Sequence, residues 1–171
     1  KMDRLPSYSE IHNFGHRMML PLLDVDVIVQ EKIDGSQISF GRFDNVTLIR
    51  SKGKDINLIT PDKLFQIGVE IIMDLPLPEG LIFRGEYLAK PKHNTLAYDR
   101  VPKNHIIVFD VCRIGENYLP VEEAQAETAK LGLEFVPLFY IGRISTAEFF
   151  MQFLEHTSVL GGQLVEGVVV K

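Results

Sequence analysis

Apolar residues recur along this chain in short clusters of two kinds. Runs rich in Val, Ile and Phe mark β-type segments at residues 25–31, 37–42, 46–50, 81–88, 106–111 and 164–170. Three other stretches have helical spacing. Residues 61–75 carry Leu64, Ile67, Ile71 and Leu75 on one stripe, with Pro61 suited to a first turn. Residues 121–131 open with Glu122 and Glu123, which complement the positive start of a helix, and stop at Gly132. Residues 145–155 open with Ser145 and Glu148, the spacing of a capping box. Strands outnumber helices and follow one another in hairpin succession, as around Asp44 and Asn45. The expected fold class is therefore α+β, with mainly antiparallel sheets and packed helices. A doubly wound parallel fold needs a more regular alternation of strand and helix.

Composition narrows the setting. At 171 residues, 46% hydrophobic and 24% charged, the chain has the size and make-up of a single domain, 1–171, with a real core. It contains no internal repeat and no low-complexity tract. No apolar run approaches the length that spans a bilayer. Residues 1–6 lack the apolar stretch of a signal peptide, and the one cysteine, Cys112, cannot form an internal disulfide. The expected location is intracellular and cytoplasmic. The same count excludes a zinc cluster built on cysteines. Lys and Arg total 18 against 23 Asp and Glu, a net charge of −5, so a nucleic-acid partner must be held by a local patch.

The most chemically pointed stretch is Glu31-Lys32-Ile33-Asp34-Gly35-Ser36, a lysine between two β-type segments followed by an Asp-Gly turn. A lysine amine is a nucleophile only when neutral. Bringing its reference pKa of about 10.4 to about 7.5 takes roughly 4 kcal/mol, supplied by burial, a nearby cation or a bound metal. A hairpin turn with a surface lysine gives the same string, so Lys-x-Asp-Gly alone does not decide.

Downstream, in order, come Arg84-Gly85-Glu86-Tyr87, Val108-Phe109-Asp110-Val111 and Glu166-Gly167-Val168-Val169-Val170-Lys171, each on or at the end of a β-type run. This series resembles the covalent nucleotidyltransferase superfamily of ATP-dependent DNA ligases, RNA ligases and mRNA capping enzymes. Lys-x-Asp-Gly is similar to motif I, Gly-Glu to motif III, Phe-Asp to motif IIIa, and Glu-Gly-Val-Val-Val-Lys to motif IV, so the resemblance covers residues 32–171. Glu86-Tyr87-Leu88-Ala89-Lys90-Pro91-Lys92-His93-Asn94-Thr95-Leu96-Ala97-Tyr98 is most similar to the RNA ligase branch. The resemblance implies a nucleotidyltransferase (adenylation) domain of ligase type. It further implies ATP and Mg²⁺ as cofactors, and a partner nucleic acid with 5′-phosphate and 3′-hydroxyl ends, RNA favoured.

The resemblance also assigns roles. Lys32 would attack the α-phosphorus of ATP and retain AMP as a phosphoramidate, and Lys171 would supply a cation that also helps hold Lys32 neutral. Glu86 would bind the ribose and Glu166 would sit near the metal, in part through water. Solvated strand carboxylates are the alternative for both. Phe109 matches an aromatic that stacks on adenine, while its neighbours Ile106–Val108 equally suit a plain core residue. Arg50 fits an arginine on the ribose or the incoming 5′-phosphate, or else a lone surface arginine. Backbone groups of Glu31 and Ile33 would read the base edge. Asp34 fits a turn-fixing residue better than a base.

Contact with nucleic acid is expected at two basic clusters. One is Arg50, Lys52 and Lys54; the other is Lys90, Lys92, Arg100 and Lys103, with His93 and His105, against Asp99. His12 and His16 have the i, i+4 spacing of zinc ligands but no third ligand nearby. His156 is expected at the C-terminal end of the third helix, and Cys112 as a small buried residue. Ligases continue past motif IV to a Lys-x-Lys motif V and often to a C-terminal domain, neither of which follows Lys171, so the chain reads as an adenylation domain truncated before both. The leading expectation is an ATP-dependent RNA ligase. A DNA ligase, a GTP-using capping enzyme and a non-catalytic nucleic-acid-binding module stand as alternatives.

Overall fold

The alternation read from the sequence becomes two sheets. The structure, a computed structural model, describes residues 2–9 and 25–171. Strands β1 (Asp26–Lys32), β8 (Leu138–Arg143) and β9 (Gly167–Val170) form a three-stranded antiparallel sheet with β1 in the centre. Strands β2 (Ser36–Phe43), β3 (Val46–Ser51), β4 (Ile82–Tyr87), β5 (Ile106–Arg113) and β6 (Asn117–Tyr118) form a second sheet in the order β3-β2-β4-β5-β6. A short strand, β7 (Glu134–Phe135), joins β5 in parallel; the other named pairings are antiparallel. The α+β, mainly antiparallel expectation therefore holds. The β2–β3 hairpin turns through Asp44 and Asn45, at φ 52° and 62°. Both lie in the left-handed conformation that a tight hairpin loop requires and that Asp and Asn tolerate.

One face of the larger sheet is the main core. Ile38, Phe40, Ile49, Phe83, Val108 and Val111 pack there against Phe65, Val69 and Ile72 of one helical segment and Ala124 and Leu131 of another. These segments are α1 (Gln66–Met73), entered through a 3-10 turn at Lys63–Phe65, and α2 (Val121–Lys130). Pro61 precedes the helical residues rather than starting them. The buried stripe of α1 is also rotated from the one read in sequence: Leu64 and Ile67 are exposed, while Phe65, Val69 and Ile72 face the core. Both faces are apolar, and Gly68 selects between them. A Cβ there would lie 2.9 Å from the Tyr87 ring, so glycine lets the helix sit directly on the sheet.

The third expected helix, 145–155, is a 3-10 helix at Ala147–Glu155, with Thr146 at its N-cap and no side-chain cap, so the Ser145–Glu148 capping box does not form. Tertiary packing sets its course. Phe150 and Phe153 are buried with Val27, Val29 and Ile144 beside the smaller sheet. The last strand begins at Gly167 rather than 164, where Leu164 is exposed in an isolated bridge to Thr157. Strand β8 was not expected. Its apolar run lacks alternation and is bracketed by Pro137 and Gly142, which read as breakers.

The opposite face of the larger sheet, bearing Glu86 and Asp110, and the Lys32-bearing face of the smaller sheet line one cleft. A β-bulge shapes it. Arg84 pairs with Asp110 and Gly85 with Val108, which leaves Phe109 as the extra residue on β5. Gly85 makes this close pairing possible, because a Cβ there would meet the Ile107 carbonyl oxygen at 2.7 Å. Gly85→Ala is expected to destabilise the fold by about 1–3 kcal/mol, seen as a lowered Tm in thermal unfolding; an unchanged Tm would show that the bulge accommodates a side chain.

Candidate active site

Lys32 is the last residue of β1 and pairs with Gly167, the first of β9. That register carries Glu166 to the lysine, with Oε1 3.4 Å from Nζ and both side chains partly open to solvent. The flanking carboxylates are buried and act on the backbone. Glu31, on the opposite face of β1, accepts hydrogen bonds from the Val159 N–H (3.0 Å) and the Ser158 hydroxyl (3.3 Å). Burial pushes its carboxyl up from the ordinary range, against the pull of those two donors. Asp34 accepts from Asn94 Nδ2 (2.9 Å) and from the N–H groups of Thr95 (2.8 Å) and Leu96 (2.7 Å). Its own N–H donates to the Tyr98 hydroxyl at 2.9 Å.

A polar cleft of about 530 Å³ opens beside Lys32, lined among others by Asp34, Gln37, Lys52, Glu86, Asn94 and Glu166. Glu86 projects into it from β4. Its carboxyl is pushed up to about 8, first by burial and then by the neighbouring charge of Glu166, with Lys32 opposing. At neutral pH it can therefore donate a hydrogen bond as well as accept one.

On the other side of Glu86 lies a slot of about 30 Å³ lined by Tyr8, Gln30, Lys32, Ile33, Phe109, Val136 and Val169. Phe109 sits between core and cleft: it is partly buried and one edge meets Tyr8, ring centroids 5.1 Å apart. Its bulged carbonyl accepts from Lys171 Nζ (2.6 Å) and Gln30 Nε2 (3.2 Å), which ties the two sheets together. Lys171 is also 2.7 Å from Asp110, whose other oxygen accepts from the Tyr8 hydroxyl. Burial lowers the Lys171 amine, with Asp110 opposing. Lys171 is thus engaged by Asp110 and Phe109, and the charged group beside Lys32 is Glu166. The Glu31 N–H, a candidate for reading a base, donates to the Pro137 carbonyl at 3.1 Å. Ile33 is buried with Leu88, Tyr98 and Val136 at the edge of the slot.

The N-terminal segment is a contributor that the sequence pattern did not reveal. Leu5 is buried with Phe43, Ile82 and Cys112, and the carbonyls of Leu5 and Pro6 accept from Arg50 (2.8 Å) and Arg84 (2.7 Å). This brings Tyr8 to Phe109. Arg50 is held by the segment and is not among the residues lining the polar cleft. An arginine inside the apolar run of β4 was the available signal: Arg84 is 1% exposed and needed a partner from elsewhere.

The basic clusters separate in space. Lys52 lines the cleft, whereas Lys54 pairs with Asp62 at 3.0 Å on the surface. Lys90 and Lys92 are exposed on the loop after β4. Arg100 does not share their field as expected, because Glu134, distant in sequence, grips it with both oxygens at 2.9 and 3.0 Å. His93 is a structural residue. Its Nδ1 accepts from the Ala89 N–H and its Nε2 meets Ser36 Oγ, while burial lowers its pKa, so it adds no charge to the cluster. His105 binds the Leu88 carbonyl. His156 stacks on Phe139, centroids 4.7 Å apart. Cys112 is buried as expected, its thiol pushed up by that burial. His12 and His16 lie outside the described residues. Among the described residues no group of three His, Cys, Asp or Glu side chains is placed to hold a metal by itself, and no helix is long and apolar enough to cross a membrane.

Comparison with known proteins follows this geometry. The sequence model of the family described as RNA ligase matches residues 25–171. No curated protein matches the sequence. Among solved structures, the chain is similar to a Naegleria gruberi RNA ligase. An apo aspartate-to-alanine mutant gives a TM-score of 0.73 at 17% identity, over 96% of this chain and 52% of that one. A glutamate-to-alanine mutant with ATP and Mn gives 0.72 at 16% identity, over 97% and 52%. A lysine-to-alanine mutant with ATP and Mn gives 0.68 at 17%, over 90% and 48%. The chain spans about half the length of these structures, and at such identity the likeness is one of fold.

The raised Glu86 carboxyl has a thermodynamic signature. Its folded pKa of about 8 lies above the ordinary 4.5, so the folded state keeps a proton that the unfolded state gives up. The associated stability is fully present below about 4.5 and is lost as pH rises to about 8. Glu86→Gln stays neutral throughout. Its Tm advantage over wild type is therefore expected to widen across that window and level off above it. Paired melting curves at several pH values check this, and a difference that does not vary with pH would refute it.

Proposed function

The chain belongs to the RNA ligase family, and on that premise we propose that it is the adenylation domain of an ATP-dependent RNA ligase in which Lys32 carries AMP. The observation that supports this best is convergence. Lys32, Glu86, Phe109 and Glu166 come from four separate strand regions and line adjoining parts of one cleft.

The chemistry follows from their placement. Lys32 Nζ attacks the α-phosphorus of ATP, a P–N bond forms as the bond to pyrophosphate breaks, and the amine gives up a proton. Glu166 Oε1, 3.4 Å away, is placed to take it. Adenine stacks on Phe109 in the slot, and Glu86, protonated near neutrality, hydrogen-bonds the ribose. Ile33 closes the base pocket against Val136. Glu31 and Asp34 are positioning residues that fix the backbone on either side of the nucleophile. Lys171 would act from the cleft wall beside Asp110, while Arg50 would act on the substrate only from outside the lining, through the N-terminal segment it holds. AMP then passes to a 5′-phosphate end, and a 3′-hydroxyl attacks the activated end, expelling AMP. Sealing is proposed as an activity of the whole protein.

A divalent ion fits the donor set. Mg²⁺ keeps most of its waters and is held by one or two carboxylates plus substrate phosphates, of which Glu166 would supply the carboxylate. When bound it neutralises phosphate charge. RNA would approach along Lys52, Lys90 and Lys92, with Lys54 at the margin.

Incubation with Mg²⁺ and labelled ATP or GTP is expected to give an AMP adduct on wild type and none on Lys32→Ala. Absence of any adduct on wild type would favour a non-catalytic binding module, and equal labelling of Lys32→Ala would displace the nucleophile. Nicked RNA, DNA and hybrid duplexes then distinguish RNA from DNA sealing. Removing Lys52 or Lys92 is expected to lower the salt slope of nucleic-acid binding by about 0.7–0.9 each; unchanged slopes would place the nucleic acid on another surface.

A further inference from the structure

The N-terminal segment crosses the larger sheet as a strap. The carbonyls of Leu5 and Pro6 accept from Arg50 on β3 and Arg84 on β4, and the Ser9 hydroxyl donates to Glu116 Oε1 at 3.0 Å, just before β6. Tyr8 is thereby set against Asp110. Its ring makes edge-to-face contacts with Phe109 and Tyr118, centroids 5.1 and 6.3 Å apart, and the Arg84 guanidinium lies 5.9 Å from its centre. The two oxygens of Asp110 are divided: Oδ1 is 2.7 Å from Lys171 Nζ, and Oδ2 accepts from the Tyr8 hydroxyl. Burial, and then the charge of Asp110, hold the Tyr8 phenol far above its ordinary range, so it remains a donor. The other acceptor of Lys171 among the described residues, the Phe109 carbonyl, likewise has a second donor in Gln30. Both acceptors therefore keep a partner if the amine turns from them.

We propose that Tyr8 is a positioning residue: by holding one oxygen of Asp110 it weakens that carboxylate's grip on Lys171 and leaves the amine's charge available to a phosphate of ATP. This rests on the reading of the cleft as an ATP site in which Lys171 is a cation for the phosphates. A buried carboxylate left without a partner costs more than the lost bond is worth, so an Asp110 served by Lys171 alone would lock the amine in place. A hydrogen bond from a neutral hydroxyl lowers that penalty, and it disperses the charge of Asp110 without cancelling it. The Asp110 and Lys171 side chains are 15% and 23% exposed, so solvent screens the competition only weakly.

The test uses the intact 171-residue chain with Mg²⁺. Equilibrium binding of α,β-methylene ATP, whose bridging carbon prevents loss of pyrophosphate, is measured by calorimetry, and adenylation from ATP by intact-protein mass spectrometry. Tyr8→Phe removes the hydroxyl and keeps the ring. It is expected to weaken binding of the analogue about fivefold and to raise half-saturating ATP by a similar factor, with the saturated rate and Tm near wild type. Asp110→Asn removes the charge being shared, and in that background Tyr8→Phe is expected to change binding by less than about twofold. Unchanged affinity in Tyr8→Phe, a loss confined to the saturated rate or Tm, an equal effect in the Asp110→Asn background, or a Tyr8→Phe that fails to fold each overturns the proposal. The single variant decides on its own should Asp110→Asn not fold. Lys171→Met separates this from the reading beneath it. Wild-type affinity in Lys171→Met, or no binding by wild type, overturns the Lys171 reading and the role of Tyr8 with it, whereas weakened Lys171→Met beside unchanged Tyr8→Phe overturns the role of Tyr8 alone.

Discussion

Lys32 is fixed from both sides by carboxylates that point away from it. Glu31 reaches one way to Ser158 and Val159, and Asp34 reaches the other way to Asn94, Thr95 and Leu96. The two anchored segments meet, since the N–H groups of Asp99 and Arg100 donate to the Leu160 carbonyl at 3.1 and 3.2 Å. A closed circuit of hydrogen bonds therefore runs from one neighbour of Lys32 to the other. Gly161 and Gly162, both at φ 77°, let that circuit close, because a Cβ on either would come within 2.7 Å of the Asp99 carboxylate. With the backbone so restrained, the freedom left to Lys32 is chiefly that of its side chain. On the proposed reading of Lys32 as a nucleophile, its backbone would be ordered during folding rather than at the reaction.

A second constraint joins the sheets. The bulge at Phe109 takes one carbonyl out of the β4–β5 ladder, and Lys171 and Gln30, on the side of the smaller sheet, together satisfy it. An irregularity in one sheet thus becomes the fastening point for the other. The Phe109 ring is held at the boundary by the same peptide, and Tyr8 adds an aromatic edge from the N-terminal segment. The slot beside Phe109 and the sheet junction are one structure, so a change in either is felt at both.

The sequence made the strands legible where they alternate or carry motif residues, and β1 to β5 follow it to within about two residues. It made the candidate site legible as well, because Lys-x-Asp-Gly, Gly-Glu, Phe-Asp and Glu-Gly-Val-Val-Val-Lys are strings whose order survives in space. What it did not show are facts of pairing at long range. Glu134 neutralises Arg100 from 34 residues away, and Tyr8 reaches Asp110 across 102. Local charge counting cannot see either. The face of α1 was misread for a related reason: with apolar residues on two stripes, Gly68 against Tyr87 decided the orientation, and a glycine leaves no mark on a hydrophobic stripe.

Charge balance in the cleft bears on how a polyphosphate could enter. Lys32 and Lys52 face Asp34, Glu86 and Glu166, so among the described residues the lining carries two cations against three carboxyl groups. Protonation of Glu86 brings the lining to neutrality, but not to the positive potential that a triphosphate seeks. Lys171 is held by Asp110, and Arg50 by the Leu5 carbonyl. On the proposed reading, a nucleotide entering without a counterion would meet carboxylates with no surplus of positive charge. A nucleotide that arrives with a divalent ion would ease the problem: the ion would offset phosphate charge, and Glu166 would turn from a repulsive neighbour into a ligand. A carboxylate that repels a bare polyphosphate would then be the group that favours a metal-bound one.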